Sequence, residues 1–298
     1  MATAGIRPEL PLIVIVGPTA SGKTGLAIKL AKEFGGEIIS ADSRAIYRGL
    51  DIGTAKPSIE ERQGITHWGI DLVDPSERFT AADFQAYANR KIAEIRARGR
   101  VPFLVGGTGL YIDAVVYNFE FPKAGNNEAR RAELSKLSIE TLHEYCKNSN
   151  VDLPENKQNK RYVIAAILRA GNAPKRLTQP ISNAIIVGIT TEKSKLHDRI
   201  SERSRHIFTD AVIHEAQTVA NKYGWGSEAM TGNIYPLIRQ YLAGELALEQ
   251  AVERFVVLDR RLAKRQLTWF KRSEHIVWLS LDKAYTYIAR LLVSLNNS

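Results

Sequence analysis

Eight residues near the start of the chain, Gly17-Pro-Thr-Ala-Ser-Gly-Lys23-Thr24, follow the pattern G-x-x-x-x-G-K-[ST]. Their flanks give that pattern its meaning. Leu12 to Val16 is an unbroken aliphatic run rich in β-branched residues, the composition of a parallel strand buried on both faces. Leu26, Leu30 and Ala31 then recur at helical spacing until Gly35-Gly36 stops the helix. Strand, glycine loop and helix in that order read as a phosphate loop. Amides of Gly17, Thr19, Ala20, Ser21 and Gly22, with the helix N-terminus behind them, would cradle an anion. Lys23 would add a point charge, and the Thr24 hydroxyl suits Mg2+. A di- or triphosphate group is the expected ligand.

The loop restricts the fold as well. Glu37 to Asp42 reads as a second strand ending in a carboxylate, Ile70 to Val73 as a short strand, Ala81 to Arg98 as a helix closed by Gly99, and Val101 to Val105 as a further strand. Strands alternating with helices predict an α/β fold of the P-loop NTPase type, three layers around a parallel sheet. After Tyr117 the chain turns polar, and Pro122, Pro154, Pro174 and Pro180 punctuate it; strand character returns at Ala184 to Ile189. Residues 118–182 are therefore expected to be a small helical insertion into a core of 1–117 and 183–298. From Lys193 on, the pattern is helical almost to the end.

The phosphate loop leaves the chemistry open, since NTPases, small-molecule kinases and group transferases all use it. No N-K-x-D or D-x-x-G signature of a GTPase is present, and the strand 101–105 ends in Gly106-Gly107-Thr108 with no terminal Asp. A phosphate loop without that carboxylate suits a diphosphate leaving group better than ATP hydrolysis. In an open parallel sheet, ligands sit beyond the carboxyl ends of the strands. Asp42 and Thr108 both end strands on that edge, so both are candidates to face Lys23, although Asp42 reads equally as a turn cap before Ser43.

Composition narrows the partners. The net charge of +9 favours a polyanion, and Arg260 to Arg272 holds six Lys or Arg and no acid. A single cysteine, Cys146, excludes an internal disulfide and a Cys-rich zinc site. No run approaches the ~20 apolar residues that span a bilayer. A cytoplasmic, membrane-free monomer is the expectation.

Several segments together resemble one family, the bacterial-type tRNA dimethylallyltransferases (tRNA isopentenyltransferases). They are GPTASGKT at 17–24, GGEIISADS at 35–43, YRGLDIGTAKP at 47–57, GID at 69–71 with DP at 74–75, RGRVPFLVGGTGLYI at 98–112, GELALEQAVER at 244–254 and AKRQLTWFKR at 263–272. They cover most of the chain outside the insertion. The resemblance implies transfer of a dimethylallyl group from dimethylallyl diphosphate to N6 of adenosine 37 in tRNAs reading codons that begin with U. It implies Asp42 as general base, Thr108 near the transferred group, and Arg203 on the diphosphate. It also implies an anticodon arm held by Lys264, Arg265, Gln266, Lys271 and Arg272, with Trp269 or Phe270 packed beneath it. Ser43, Arg44 and Ala45 would lie beside the base, and Asn159, Arg161 and Arg130 of the insertion would clasp the arm from the other side. Trp269 reads equally as a core residue, because Leu248, Ala251, Val252, Phe255 and Leu258 form an apolar stripe on the same helix.

The chain departs from the family pattern at Arg44-Ala45, where Met-Gln is usual, at His67-Trp68-Gly69-Ile70-Asp71, and at Asn233-Ile-Tyr-Pro-Leu237, where Ile-Gly-Tyr-Lys-Glu is usual. These departures read as drift in a reduced or divergent lineage, with weaker RNA contacts or an altered choice of tRNA as the alternative. Three rival readings stay open at this stage: prenyl transfer to a free adenine nucleotide, a small-molecule kinase, and a tRNA-binding relative without catalysis.

Overall fold

The computed structural model describes residues 10–121, 128–154, 157–169 and 174–296. Its elements follow in chain order: β1 (Leu12–Val16), α1 (Lys23–Glu33), β2 (Gly36–Ala41), β3 (His67–Trp68), α2 (Ala81–Ala97), β4 (Val101–Gly106), α3 (Gly109–Val116), α4 (Glu128–Lys136), α5 (Ile139–Asn148), α6 (Lys160–Leu168), β5 (Ala184–Ile189), α7 (Lys193–Ile207), α8 (Asp210–Tyr223), α9 (Tyr235–Leu242), α10 (Leu248–Phe270), β6 (Val277–Leu279) and α11 (Leu281–Asn296). Six parallel strands form one sheet in the order β3-β2-β4-β1-β5-β6. β1 lies inside it, and all five of its side chains are fully buried. Each such aliphatic side chain contributes about 1.5–3 kcal/mol on burial, which is why an uninterrupted apolar run ends up as an inner strand. On one face α1 and α11 close the core. Leu26, Leu30 and Ala31 meet Ala284, Ile288 and Leu292 in the same cluster as Ile13, Ile15 and Phe103.

Register sets the position of the functional edge. Val16 pairs with Gly106, and Gly106 pairs with Ala41. The residues that follow these three (Gly17, Gly107 and Asp42) therefore leave the sheet at the same level and on the same side, the edge where open α/β sheets bind ligands. The approach there is close. A methyl group on Gly106 would lie 2.1 Å from the carbonyl oxygen of Ala41.

The chain divides into two compact units, residues 1–116 with 180–298, and residues 117–179. The second unit packs α4, α5 and α6 around Leu134, Leu142, Cys146, Val151, Val163 and Ile167. Burial among them raises the Cys146 thiol above its ordinary pKa, so it sits as a small apolar group. The unit's bounds differ slightly from the expected 118–182.

Two strand assignments need correction. The short strand is His67–Trp68, ahead of the expected 70–73, where only Val73 pairs, in an isolated bridge to Tyr47. The helical run after Lys193 is broken by β6, which adds to the sheet beside β5.

Contacts distant in sequence fix the loop that follows β2. The Glu215 carboxylate accepts from the backbone N–H groups of Asp51, Ile52 and Gly53 at 2.7, 2.7 and 3.0 Å, and from the Tyr235 hydroxyl at 3.0 Å. The half of the loop nearer α2 is held by Lys56, whose ammonium donates to Asp51 and Asp71 at 2.7 and 2.6 Å. The family-like string DIGTAKP is therefore a folding element of this loop.

Candidate active site

The phosphate loop is built as the sequence pattern requires. Gly22 takes φ 87°, ψ 6° where α1 begins. That left-handed turn favours glycine, and a β-carbon there would also lie 2.8 Å from Leu281 Cδ1. Ala20 carries a positive φ of 61°, a strained value of the kind that collects at ligand-binding loops. The Ser21 hydroxyl is fully buried with no hydrogen-bond partner. Thr24 stands exposed in the first turn of α1. Lys23 folds back so that its ammonium donates to the carbonyl of Pro18 at 2.9 Å.

Three charges act on one another here. Burial pushes the Lys23 ammonium down to about 8, the nearby Asp42 carboxylate opposes that shift, and the Arg203 guanidinium adds to it. Lys23 thus senses Asp42 from the end of β2 and Arg203 from α7, which brings together the phosphate-loop lysine, the candidate base and the candidate arginine. One carboxylate oxygen of Asp42 accepts from the backbone N–H of Arg44 at 2.8 Å. The turn-cap reading of Asp42 thus holds for one oxygen, and Oδ2 remains for a ligand. The Thr108 hydroxyl accepts from the backbone N–H of Ser43 at 3.0 Å and donates to the Ser43 hydroxyl at 3.3 Å, while Thr108 N–H bonds to Ala41 at 3.1 Å. This clamps the β2 and β4 ends together next to Asp42. Beside them Tyr111 stacks on Phe84 with ring centroids 4.2 Å apart, and burial raises its hydroxyl well above the ordinary range.

Lys23 titrates near working pH, and this has a measurable consequence. Below pH 8 its ammonium is charged, and above it the free protein holds a neutral amine. Pyrophosphate binding then needs a proton from solvent. Pyrophosphate affinity relative to a Lys23→Met variant is expected to be flat up to about pH 8 and to fall by up to about tenfold per pH unit above it. The effect on folding has the opposite sign. Between about 8 and the ordinary value of 10.5 the unfolded chain binds more protons, so this group's contribution stabilises the free protein as pH rises. Isothermal titration from pH 6.5 to 9.5 checks the first statement; parallel curves for the two proteins would refute it.

Helix α10 holds the phosphate loop from the other side. Gln266 Oε1 accepts from the backbone N–H of Thr19 at 2.7 Å, and Trp269 Nε1 donates to Asp113 of α3 at 2.8 Å. Gly107 and Gly109 make room for these two side chains. A β-carbon on Gly107 would lie 2.3 Å from Gln266 Nε2, and one on Gly109 would lie 2.2 Å from Trp269 Cδ1. Gln266 and Trp269 therefore serve the core of the site, whatever else they touch. Lys264, Arg265, Lys271 and Arg272 are exposed, and Arg272 lies over the Trp269 ring at 5.5 Å.

Two expectations fail on burial. Ala45 is 4 % exposed and Phe270 is 1 % exposed, so neither side chain has surface to offer an RNA. The Arg44 guanidinium donates to the Glu228 carbonyl at 3.0 Å. In the helical unit, Asn159 caps α6 by accepting from the Arg161 backbone N–H at 3.1 Å. Arg161 is exposed, and Arg130 pairs with Glu133 at 2.8 Å and lies over Tyr145.

A family model described as IPP transferase matches residues 45–273. The chain belongs to the IPP transferase family. It is 39% identical to a tRNA dimethylallyltransferase of Acetivibrio thermocellus, across 91% of this chain and 92% of that one. Identity is 37% to the tRNA dimethylallyltransferase of Geobacillus kaustophilus, with 93% of each chain covered. Among solved structures, the full-length tRNA isopentenylpyrophosphate transferase of Bacillus halodurans superposes with a TM-score of 0.73 at 37% identity, covering 96% of this chain and 98% of that one. A eukaryotic dimethylallyltransferase acting on tRNA shares the fold at a TM-score of 0.73 and 22% identity, covering 91% of this chain and 74% of its own.

Two further residues of this IPP transferase carry the site although no motif marks them. Asp259 of α10 pairs with Arg203 and is 3 % exposed, and Glu215 anchors the loop after β2. Among the described residues no cluster of three or more His, Cys, Asp or Glu could hold a metal ion, and no helix is long and apolar enough to cross a membrane.

Proposed function

We propose that this protein transfers the dimethylallyl group of dimethylallyl diphosphate to N6 of adenosine 37 in tRNAs that read UNN codons. The observation that carries the proposal is the strand register that opens the phosphate loop and Asp42 on one sheet edge, with Arg203 near enough to act on Lys23 electrostatically, since this transfer needs a cationic anion cradle facing a single base. The adenine N6 lone pair is delocalised into the ring and attacks weakly. Asp42 Oδ2 takes the N6 proton as nitrogen bonds to the allylic C1, the C1–O bond breaks, and its electron pair leaves with the diphosphate. Lys23, the amides of the phosphate loop and Arg203 meet that growing negative charge. Thr108 and Ser43 hold the Asp42 turn in place.

Mg2+ fits this site. Thr24 offers a hydroxyl at the start of α1, the buried Ser21 hydroxyl has no partner of its own, and in a phosphate loop the Ser or Thr after the lysine reaches an Mg2+ held by the substrate phosphates. Bound there, it would neutralise diphosphate charge.

The RNA partner is an anticodon arm, with adenosine 37 flipped out of its stack to reach the sheet edge. Exposed Lys264, Arg265, Lys271 and Arg272 on and after α10 suit phosphate contacts, as do Arg161 and Arg130 in the helical unit. The protein acts as a cytoplasmic monomer in this reading. Radiolabelled dimethylallyl diphosphate, offered with an unmodified tRNA carrying A36-A37-A38 or with free AMP, tests it. Label in the tRNA supports the proposal; label in AMP alone, or tRNA bound without label, rejects it.

A further inference from the structure

Arg203 is not a lone charge aimed at the phosphates. It forms an ion pair with the Asp259 carboxylate through one terminal nitrogen, and the second oxygen of Asp259 accepts from Asn233 Nδ2 at 2.9 Å. Asp259 is 3 % exposed. A carboxylate that deep is costly unless both oxygens are partnered, and here Arg203 and Asn233 supply the partners. The Nε of Arg203 is buried with no hydrogen-bond partner, so its guanidinium is fastened at one end only. Asn233 belongs to the segment 233–237, where the chain departs from the family pattern.

We infer that Asp259 and Asn233 form a positioning relay that aims the Arg203 guanidinium at the diphosphate, an inference that rests on the function proposed above. Without the relay the arginine keeps its charge but loses its fixed direction. Arginine binds phosphate well because its planar fork is held ready, so less freedom is lost on binding. Asn233 sets the Asp259 carboxylate plane, and Asp259 sets the plane of the guanidinium. The departure at Asn233 then belongs to the catalytic apparatus of this chain, through Arg203, and not to its RNA surface.

The test compares wild type, Asn233→Ala, Asp259→Asn, Arg203→Ala and the double variant Arg203→Ala/Asp259→Asn. Inorganic pyrophosphate binding is measured by titration, single-turnover transfer with radiolabelled dimethylallyl diphosphate, and tRNA binding by filter retention. Asn233→Ala and Asp259→Asn are expected to weaken pyrophosphate binding about five- to tenfold and to slow transfer, with tRNA affinity unchanged. In the Arg203→Ala background Asp259→Asn should add nothing further. Wild-type pyrophosphate binding in the two single variants, or an equal extra loss in the Arg203→Ala background, overturns the relay. Wild type that binds no pyrophosphate and transfers no label would instead overturn the functional reading beneath it. Asn233 is only half-buried, so Asn233→Ala keeps the test open if Asp259→Asn fails to fold.

Discussion

Asp42→Asn is expected to lower single-turnover transfer to tRNA by about 10²- to 10⁴-fold, the usual contribution of a positioned general base. Asparagine matches the shape of the carboxylate, and its carbonyl still accepts the Arg44 N–H that the carboxylate accepts at 2.8 Å. What it cannot do is take a proton from N6. The substitution thus separates the two roles that Asp42 has on geometry, turn cap and base. If asparagine retains half or more of the activity, Asp42 is a cap and the proton goes elsewhere. Asp42→Ala removes both roles, so any activity gap between Ala and Asn measures the turn. The comparison belongs near pH 6.5. Asp42 raises the Lys23 pKa, so losing its charge lets that ammonium fall below its value of about 8 and weakens diphosphate binding at higher pH for an unrelated reason.

The two halves of this site differed in how far the sequence reveals them. The phosphate loop and the inner strands are local patterns: β1 matches the aliphatic run 12–16 residue for residue, and strand pairing carries Asp42 and Gly107 to the same edge. Thr108 could be placed beside Asp42 for the same reason. The partners that hold the site rigid are not local. Gln266 reaches Thr19 across 247 positions, and Asp259 reaches Arg203 across 56. No spacing rule announces such contacts, so Gln266 reads in the sequence as an RNA-facing residue of a basic helix, and Asn233 as drift. β6 is hidden because three residues between helices are too few to show a period of two. Ala45 and Phe270 were misread for a different reason. Their neighbours in sequence belong to the functional edge, but one step along a turn or helix rotates a side chain into the core.

Gly109→Ala is expected to cost about 1–3 kcal/mol in stability and most of the transfer activity. The added β-carbon would lie 2.2 Å from Trp269 Cδ1 and 2.4 Å from Nε1. An indole has no flexible end to swing aside, and this one is tethered by its 2.8 Å hydrogen bond to Asp113, so α3 and α10 must separate. Since α10 also supplies Gln266 to the phosphate loop and exposed Lys264 and Arg265 to the proposed RNA contacts, the shift is expected to weaken binding of both pyrophosphate and tRNA. Gly107→Ala provides the contrast. Its β-carbon meets Gln266 Nε2 at 2.3 Å, the end of a flexible side chain that can rotate away. The loss there is the Thr19 hydrogen bond, about 0.5–1.5 kcal/mol, felt by pyrophosphate and not by tRNA. Thermal unfolding with pyrophosphate and tRNA titrations on both variants decides between them. A Gly109→Ala protein with wild-type melting and wild-type affinities would mean that Trp269 yields freely, and that Gly109 answers to something other than α10.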